Sequence, residues 1–164
     1  MVELRNLQTD DAPILAQLLN NKHIWDVMRD VLPYPYTEAD ALHFIDLSQK
    51  EQQMLNLAIT YQHRFCGIIG IKRETDIHRK SVELGYWIGE VFWQKGIATK
   101  AVALMTDFVF EQQAVNRIFA RVFSNNPASM KVLLKNNYLL EGIFRKAIYK
   151  NGHFLDEYIY AKLR

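Results

Sequence analysis

The stretch "GYWIGEVFWQKGIATKAVALMTDFVF", residues 85–110, decides how this chain is read. An aromatic, strand-like run gives way to a short turn carrying Gly96. Apolar residues then recur at helical spacing: Ile97, Ala101, Leu104, Met105, Phe108 and Val109. A helix that starts straight after a strand and a tight turn has first amide groups without intrahelical partners, and its macrodipole adds positive potential there. Gly96 has no Cβ to hold a phosphate away from those amides, and Ala98 is the next smallest choice. The stretch has neither the GxGxxG nor the GxxxxGK[ST] pattern, which speaks against NAD and ATP sites. On these residues alone, a plain turn and a phosphate cradle both stay open.

Working outward, alternation predicts strands over 2–7, 54–61, 65–73, 81–89 and 117–123, and over the final "YLLEGIFRKAIYK" and "HFLDEYIYAKL". The last two flank Asn151-Gly152, a strong hairpin signal. Thr9 or Asp10 is expected to cap a first helix carrying Pro13 in its first turn. Thr37 and Asp40 form a capping-box pattern for a second helix, and Pro127 opens another over 127–136. Hairpins mixed with two βα crossovers predict an α/β (α+β) fold around a mixed sheet, and no linker or repeat divides the 164 residues.

Composition is that of a globular domain: 49% hydrophobic, 12% aromatic and 23% charged. A net charge of +2 with no Lys/Arg-rich run argues against a nucleic-acid-binding protein. Cys66, the single cysteine, lies in an apolar run and reads as a reduced core thiol. "MVELRNLQTDD" lacks the apolar region of a signal peptide, and no apolar run approaches the roughly 20 residues of a membrane span. A soluble, cytoplasmic protein is expected. The five histidines are scattered, and no ligand spacing suggests a metal site.

"VELGYWIGEVFWQKGIATKAV" closely resembles motif A of the GNAT superfamily of acetyl-CoA-dependent N-acetyltransferases, in the form of its RimJ/RimL-like branch. The family's pyrophosphate loop, Q/R-x-x-G-x-G/A, falls on Trp93, Gln94, Lys95, Gly96, Ile97 and Ala98. Trp93 replaces the usual Gln/Arg, and Lys100 stands where the branch often has Glu. "VFSNNPASMKVLLKNNYLLEG" (122–142) is similar to the branch's second motif, with Asn126 and Ser129 on its Asn and Ser. The N-terminal "LPYPYTEADALHFI" also looks like the branch, so the resemblance spans essentially the whole chain.

The resemblance implies a twisted, mostly antiparallel mixed sheet flanked by about four helices, with a V-shaped splay between the strands near 81–89 and 117–123. It implies that acetyl-CoA lies in that splay. Backbone donors from Gln94, Lys95, Gly96, Ile97, Ala98 and Thr99 would hold the pyrophosphate. The main chain near Trp87 and Ile88 would pair with the pantetheine arm, which Asn126 would also contact. Lys131 and Lys135, at i and i+4, either meet the 3′-phosphate or form a solvated face.

Transfer to an amine requires removal of a proton from the ammonium, a polarised thioester and a stabilised thiolate. Glu83 is an acid within a strand that otherwise reads as core, so it is either a general base, acting through water, or the ion-pair partner of Arg117 or Arg121. Asp156 and Glu157 are second choices. The tyrosine that many GNAT enzymes carry seven residues after the Asn is Leu133 here. Ser129 takes the role of acid by motif position, unless its hydroxyl serves only the helix start or the pantetheine arm, or water protonates the thiolate. Tyr34 and Tyr36 either line the acceptor pocket or pack a loop on the core. The acceptor is expected to be a small amine or a protein N-terminus, and the protein a monomer or homodimer. A weakly catalytic CoA-binding sensor is the alternative.

Overall fold

Two hairpins with two-residue turns frame the sheet. β2 (Met54–Tyr61) and β3 (Arg64–Arg73) turn at Gln62 and His63, whose φ values are 51° and 63°. β6 (Leu139–Lys150) and β7 (His153–Leu163) turn at Asn151 and Gly152, at 52° and 79°. Positive φ at both turn residues matches the right-handed twist of the flanking strands. The computed structural model describes all 164 residues. β1 (Val2–Asn6), β4 (Ser81–Ile88) and β5 (Arg117–Phe123) complete a seven-stranded sheet of order β1-β2-β3-β4-β5-β7-β6. Every neighbouring pair is antiparallel except β4 and β5, which are parallel and joined through α4 (Ile97–Gln112).

Period-two alternation along β4 divides its side chains between two cores. Val82, Leu84 and Ile88 pack with Ile97, Ala101, Val102, Met105 and Val109 of α4 and with Leu133 of α5 (Pro127–Lys135). Trp87, on the opposite face, joins Phe65 and Ile68 under α1 (Ala12–Leu19), α2 (Lys22–Trp25) and α3 (Glu38–Lys50). Each large side chain so buried contributes about 1.5–3 kcal/mol of transfer free energy, which is why a short helix such as α2 holds its place. The result is three layers, with the sheet in the middle.

Two local expectations are corrected. Neither Thr9 nor Asp10 caps α1. Thr9–Asp11 form one 3-10 turn, and the Asp11 carboxylate accepts the Gln8 N–H at 2.8 Å and a two-pronged bond from Arg5. A side chain gripped by an arginine fixes the turn more firmly than a hydroxyl cap. Five α-helices flank the sheet, the extra one being α2, whose N-cap Asn21 accepts the Ile24 N–H at 3.2 Å. Thr37 and Asp40 form the capping box expected of α3.

Candidate active site

The parallel pairing of β4 with β5 has only three rungs: Ser81 with Arg117, Val82 with Ile118, and Glu83 with Phe119. Beyond Glu83, β4 keeps its β3 partners as far as Ile88, while β5 runs on beside β7 to Phe123. A gap therefore opens between the two strands. The Gly89 N–H donates to the Cys66 carbonyl at 2.8 Å. Strand alternation then turns the Trp87 N–H and C=O toward β3, where the Trp87 carbonyl lies against Gly67, and turns those of Tyr86 and Ile88 into the gap. The Trp93 indole N–H donates to the Ile88 carbonyl at 2.7 Å. Of the two main-chain positions singled out in the sequence, Ile88 presents a free N–H to the gap and Trp87 is turned away from it.

At the open end of the gap lies the loop before α4. Gly96 occupies the N-cap position in the left-handed region, with φ 72°, and no side chain caps the helix. Gln94 is also left-handed, at 62°. The first helical bond runs from the Lys100 N–H to the Gly96 carbonyl at 3.1 Å, so the amides of Ile97, Ala98 and Thr99 project ahead of the helix without intrahelical acceptors. A Cβ built on Gly96 would meet nothing within 4 Å, so the loop is open at the N-cap. Lys95 leans back on the loop, donating to the Val91 carbonyl at 3.2 Å with its ammonium 5.5 Å from the Phe92 ring centre. Amides, a helix N-terminus and a nearby cation facing open space make a setting that fits a diphosphate.

The start of α5 forms the far wall. Asn126 is its N-cap and accepts the Ser129 N–H at 3.1 Å, which leaves the Asn126 amide group free to donate. The Ser129 hydroxyl is 2.8 Å from the Tyr86 hydroxyl, which also lies 3.3 Å from the Ser129 carbonyl. This contact links β4 to α5 on the face of the sheet that packs on α4. Burial raises the Tyr86 phenol well above its ordinary range, opposed only in part by the Ser129 bond. Leu133, one turn further along the same helix, is wholly buried in the core. Asn136 donates to the carbonyls of Thr99 (3.1 Å) and Val132 (2.9 Å), tying the first turn of α4 to α5.

Where the rungs end, Arg121 bridges two carboxylates. Its Nε is 3.6 Å from Glu83 Oε1, and its Nη1 is 3.1 Å from Glu157 Oε2. The ion pair open to Glu83 is thus made with Arg121, while Arg117 bonds Glu141. Glu83 and Glu157 are both half-buried beside Arg121. Asp156 is drawn toward the hairpin by Arg145, at 3.1 Å, and by the Lys146 N–H. Lys131 and Lys135 are exposed on α5.

Tyr36 is a core residue, its phenol pushed up to about 12 by burial and by Asp40, and Tyr34 packs on Trp25 with ring centres 5.6 Å apart. Burial likewise pushes the Cys66 thiol up to about 11, and it donates to the Ile59 carbonyl. No group of three His, Cys, Asp or Glu side chains is arranged to hold a metal ion. Tyr86 is the residue that sequence reasoning passed over. Its signal was available, because a tyrosine on an otherwise apolar strand face needs a partner for its hydroxyl.

A family model described as the acetyltransferase (GNAT) domain matches residues 2–138. The chain is 28% identical to the uncharacterized N-acetyltransferase p20 of Bacillus licheniformis, over 98% of this chain and 92% of the relative. It is 31% identical to the putative ribosomal N-acetyltransferase YdaF of Bacillus subtilis (strain 168), over 67% of this chain and 60% of the relative. Among solved structures, the ribosomal L7/L12 alpha-N-protein acetyltransferase RimL in complex with coenzyme A superposes with a TM-score of 0.86 at 24% identity, covering 99% of this chain and 93% of that one. The open gap, the uncapped helix start beside it and the family match agree: this chain belongs to the GNAT family of acetyl-CoA-dependent N-acetyltransferases.

Proposed function

We propose that this protein moves the acetyl group of acetyl-CoA directly to a primary amine within a ternary complex, and that the amine is a protein N-terminus or a small-molecule amine. The observation that carries the reading is the parallel strand pair that stops at Glu83 and Phe119 beside the uncapped Gly96 helix start. The names of RimL and YdaF favour a ribosomal-protein N-terminus as the first acceptor to test. The reading takes residues 1–164 as one acetyltransferase domain working in the cytoplasm as a monomer or homodimer, without nucleic acid as a ligand.

In this reading, amides from Gln94 to Thr99 hold the diphosphate. The Ile88 N–H and the main chain of Tyr86 pair with the pantetheine arm, and the free Asn126 amide donates to it from the other wall. Fixed main-chain dipoles need no reorganisation on binding, so they orient the thioester at little entropic cost. Glu83, beside Arg121, accepts the ammonium proton directly or through water. The neutral amine then attacks the carbonyl carbon, a C–N bond forms, and the C–S bond breaks with its electron pair leaving on sulfur. Ser129 meets the departing sulfur as a hydroxyl donor.

Thiol release measured over a panel of amines and short N-terminal peptides, with calorimetry of CoA against ADP, tests the proposal. Turnover with at least one amine and a clear preference for CoA are expected, with Glu83→Gln slowing turnover at neutral pH. Tight CoA binding with no thiol release from any amine would instead favour a sensor, a reading that Leu133 in the usual tyrosine position keeps in view.

A further inference from the structure

The Tyr86–Ser129 contact is a bridge between hydroxyls that joins β4 to the start of α5, and the acetyl-transfer reading gives it no part. From Ile88 to Glu83 the gap edge of β4 runs five residues, about 16 Å at about 3.3 Å per residue. An extended arm anchored at the Gly96 loop and lying along that edge runs beside the Tyr86–Ser129 pair on its way to Glu83. We infer that Tyr86 is a positioning residue for the departing thiol: its hydroxyl holds the Ser129 oxygen so that the Ser129 proton points into the gap. The inference rests on the acetyl-transfer reading and adds to it a role for the Tyr86 side chain.

Two O–H groups share three nearby acceptors: the Ser129 hydroxyl, the Tyr86 hydroxyl and the Ser129 carbonyl. With no anion present, either hydroxyl can donate to the other. When sulfur departs with negative charge, the Ser129 proton turns onto it, and the Tyr86 proton takes the Ser129 oxygen at 2.8 Å. A hydrogen bond whose donor is itself held by a second donor is polarised and stronger than one acting alone. Burial keeps the Tyr86 phenol protonated, so the pair donates hydrogen bonds without surrendering a proton. The amine proton goes to Glu83 or water, and the thiolate is protonated by water as it leaves. Leu133, which offers no hydroxyl, lies on the same side of α5 one turn away, so in this chain Ser129 is the donor and Tyr86 of β4 holds it.

Single-turnover rates with acetyl-CoA and with its selenoester analogue test the inference, since a selenolate is a weaker base and needs less stabilisation. Tyr86→Phe is expected to slow the thioester reaction about fivefold, the value of one ordinary hydrogen bond, while CoA affinity stays within about twofold. The loss should shrink below about twofold with the selenoester. In a Ser129→Ala background, Tyr86→Phe should cost nothing further. An unchanged thioester rate, equal slowing of both donors, or full additivity with Ser129→Ala would overturn the inference. If Tyr86→Phe fails to fold, Ser129→Ala decides alone, because slowing both donors equally would remove the hydroxyl pair from the reaction. A wild-type protein that turns over no amine would defeat the acetyl-transfer reading itself and this inference with it. Turnover without the selenoester pattern would defeat only the latter.

Discussion

Replacing Gly96 by alanine separates ligand binding from backbone strain, because the chain contains its own control. Gly96 and Gly152 have nearly the same φ, 72° and 79°, and a Cβ on either would meet no atom within 4 Å. Alanine at each site should therefore cost the same left-handed penalty, on the order of 1–2 kcal/mol. For a chain of this size that lowers Tm by about 2–8 °C at either position. Only at residue 96 is the new methyl carried by the N-cap residue, immediately before the Ile97, Ala98 and Thr99 amides. Displacing a phosphate from one such charge-assisted bond costs about 1.5–3 kcal/mol, or roughly a tenfold to 150-fold loss of affinity. Calorimetric titration of CoA, paired with thermal melts, reads both effects. Gly152→Ala should melt early and bind CoA like wild type, whereas Gly96→Ala should melt equally early and bind at least tenfold more weakly. A Gly96→Ala protein with wild-type CoA affinity would show that the diphosphate does not sit on these amides.

Asp11→Asn should cost about 1–3 kcal/mol at pH 7, because the charge-assisted grip of Arg5 and the Gln8 N–H is weakened. Burial raises the Asp11 carboxyl, but the Arg5 and Gln8 bonds together hold it below the ordinary range, so its stabilisation is present above about pH 4 and is lost as pH falls through the lowered folded value. Urea melts of the variant and wild type should accordingly converge in acid, and a deficit that stays constant with pH would contradict this. Thr106→Val strands the buried Tyr138 hydroxyl, now 2.8 Å from Thr106 Oγ1, and should cost about 1–3 kcal/mol. Adding Tyr138→Phe should restore most of that loss, so a double-mutant cycle with no coupling would disprove the pairing. Lys150, whose buried ammonium sits 3.3 Å from the Trp25 ring centre and 2.6 Å from Asp30, pins the hairpin tip to the loop after α2. Lys150→Met should stay within about 1 kcal/mol of wild type, because a similar shape replaces both charge and packing. Lys150→Ala should cost about 2–4 kcal/mol and speed amide exchange in residues 26–34; equal melts for the two variants would argue that packing is not the link.

Much of this was legible in the chain because local chemistry and tertiary context agree. Asn151-Gly152 can adopt positive φ at both residues, and Thr37 with Asp40 can close a capping box, whatever surrounds them. α4 declared itself by sixteen residues of periodic apolar pattern. The four residues of α2 are too few for any period to register, and they are helical because Asn21 caps them and Ile24 is buried. β7 inserts between β5 and β6, an ordering that no local signal encodes because hairpin chemistry specifies only that β6 and β7 are neighbours. The partner of Glu83 depended on that ordering. With β7 beside β5, Arg121 faces Glu83 on one side and Glu157 on the other, whereas Arg117 lies four residues nearer the strand start, beside Glu141. The same dependence hid Tyr86, whose partner belongs to a helix forty-three residues later.

Mechanically, the sheet consists of two panels, β1–β4 and β5–β7–β6, stitched together by the three rungs from Ser81 to Glu83. A bound pantetheine arm would act as further stitches, so the ligand would serve as a piece of secondary structure as well as a reactant. The panels should therefore breathe about this seam when empty and stiffen when loaded, with solvent exchange at the Tyr86 and Ile88 amides slowing in step with occupancy.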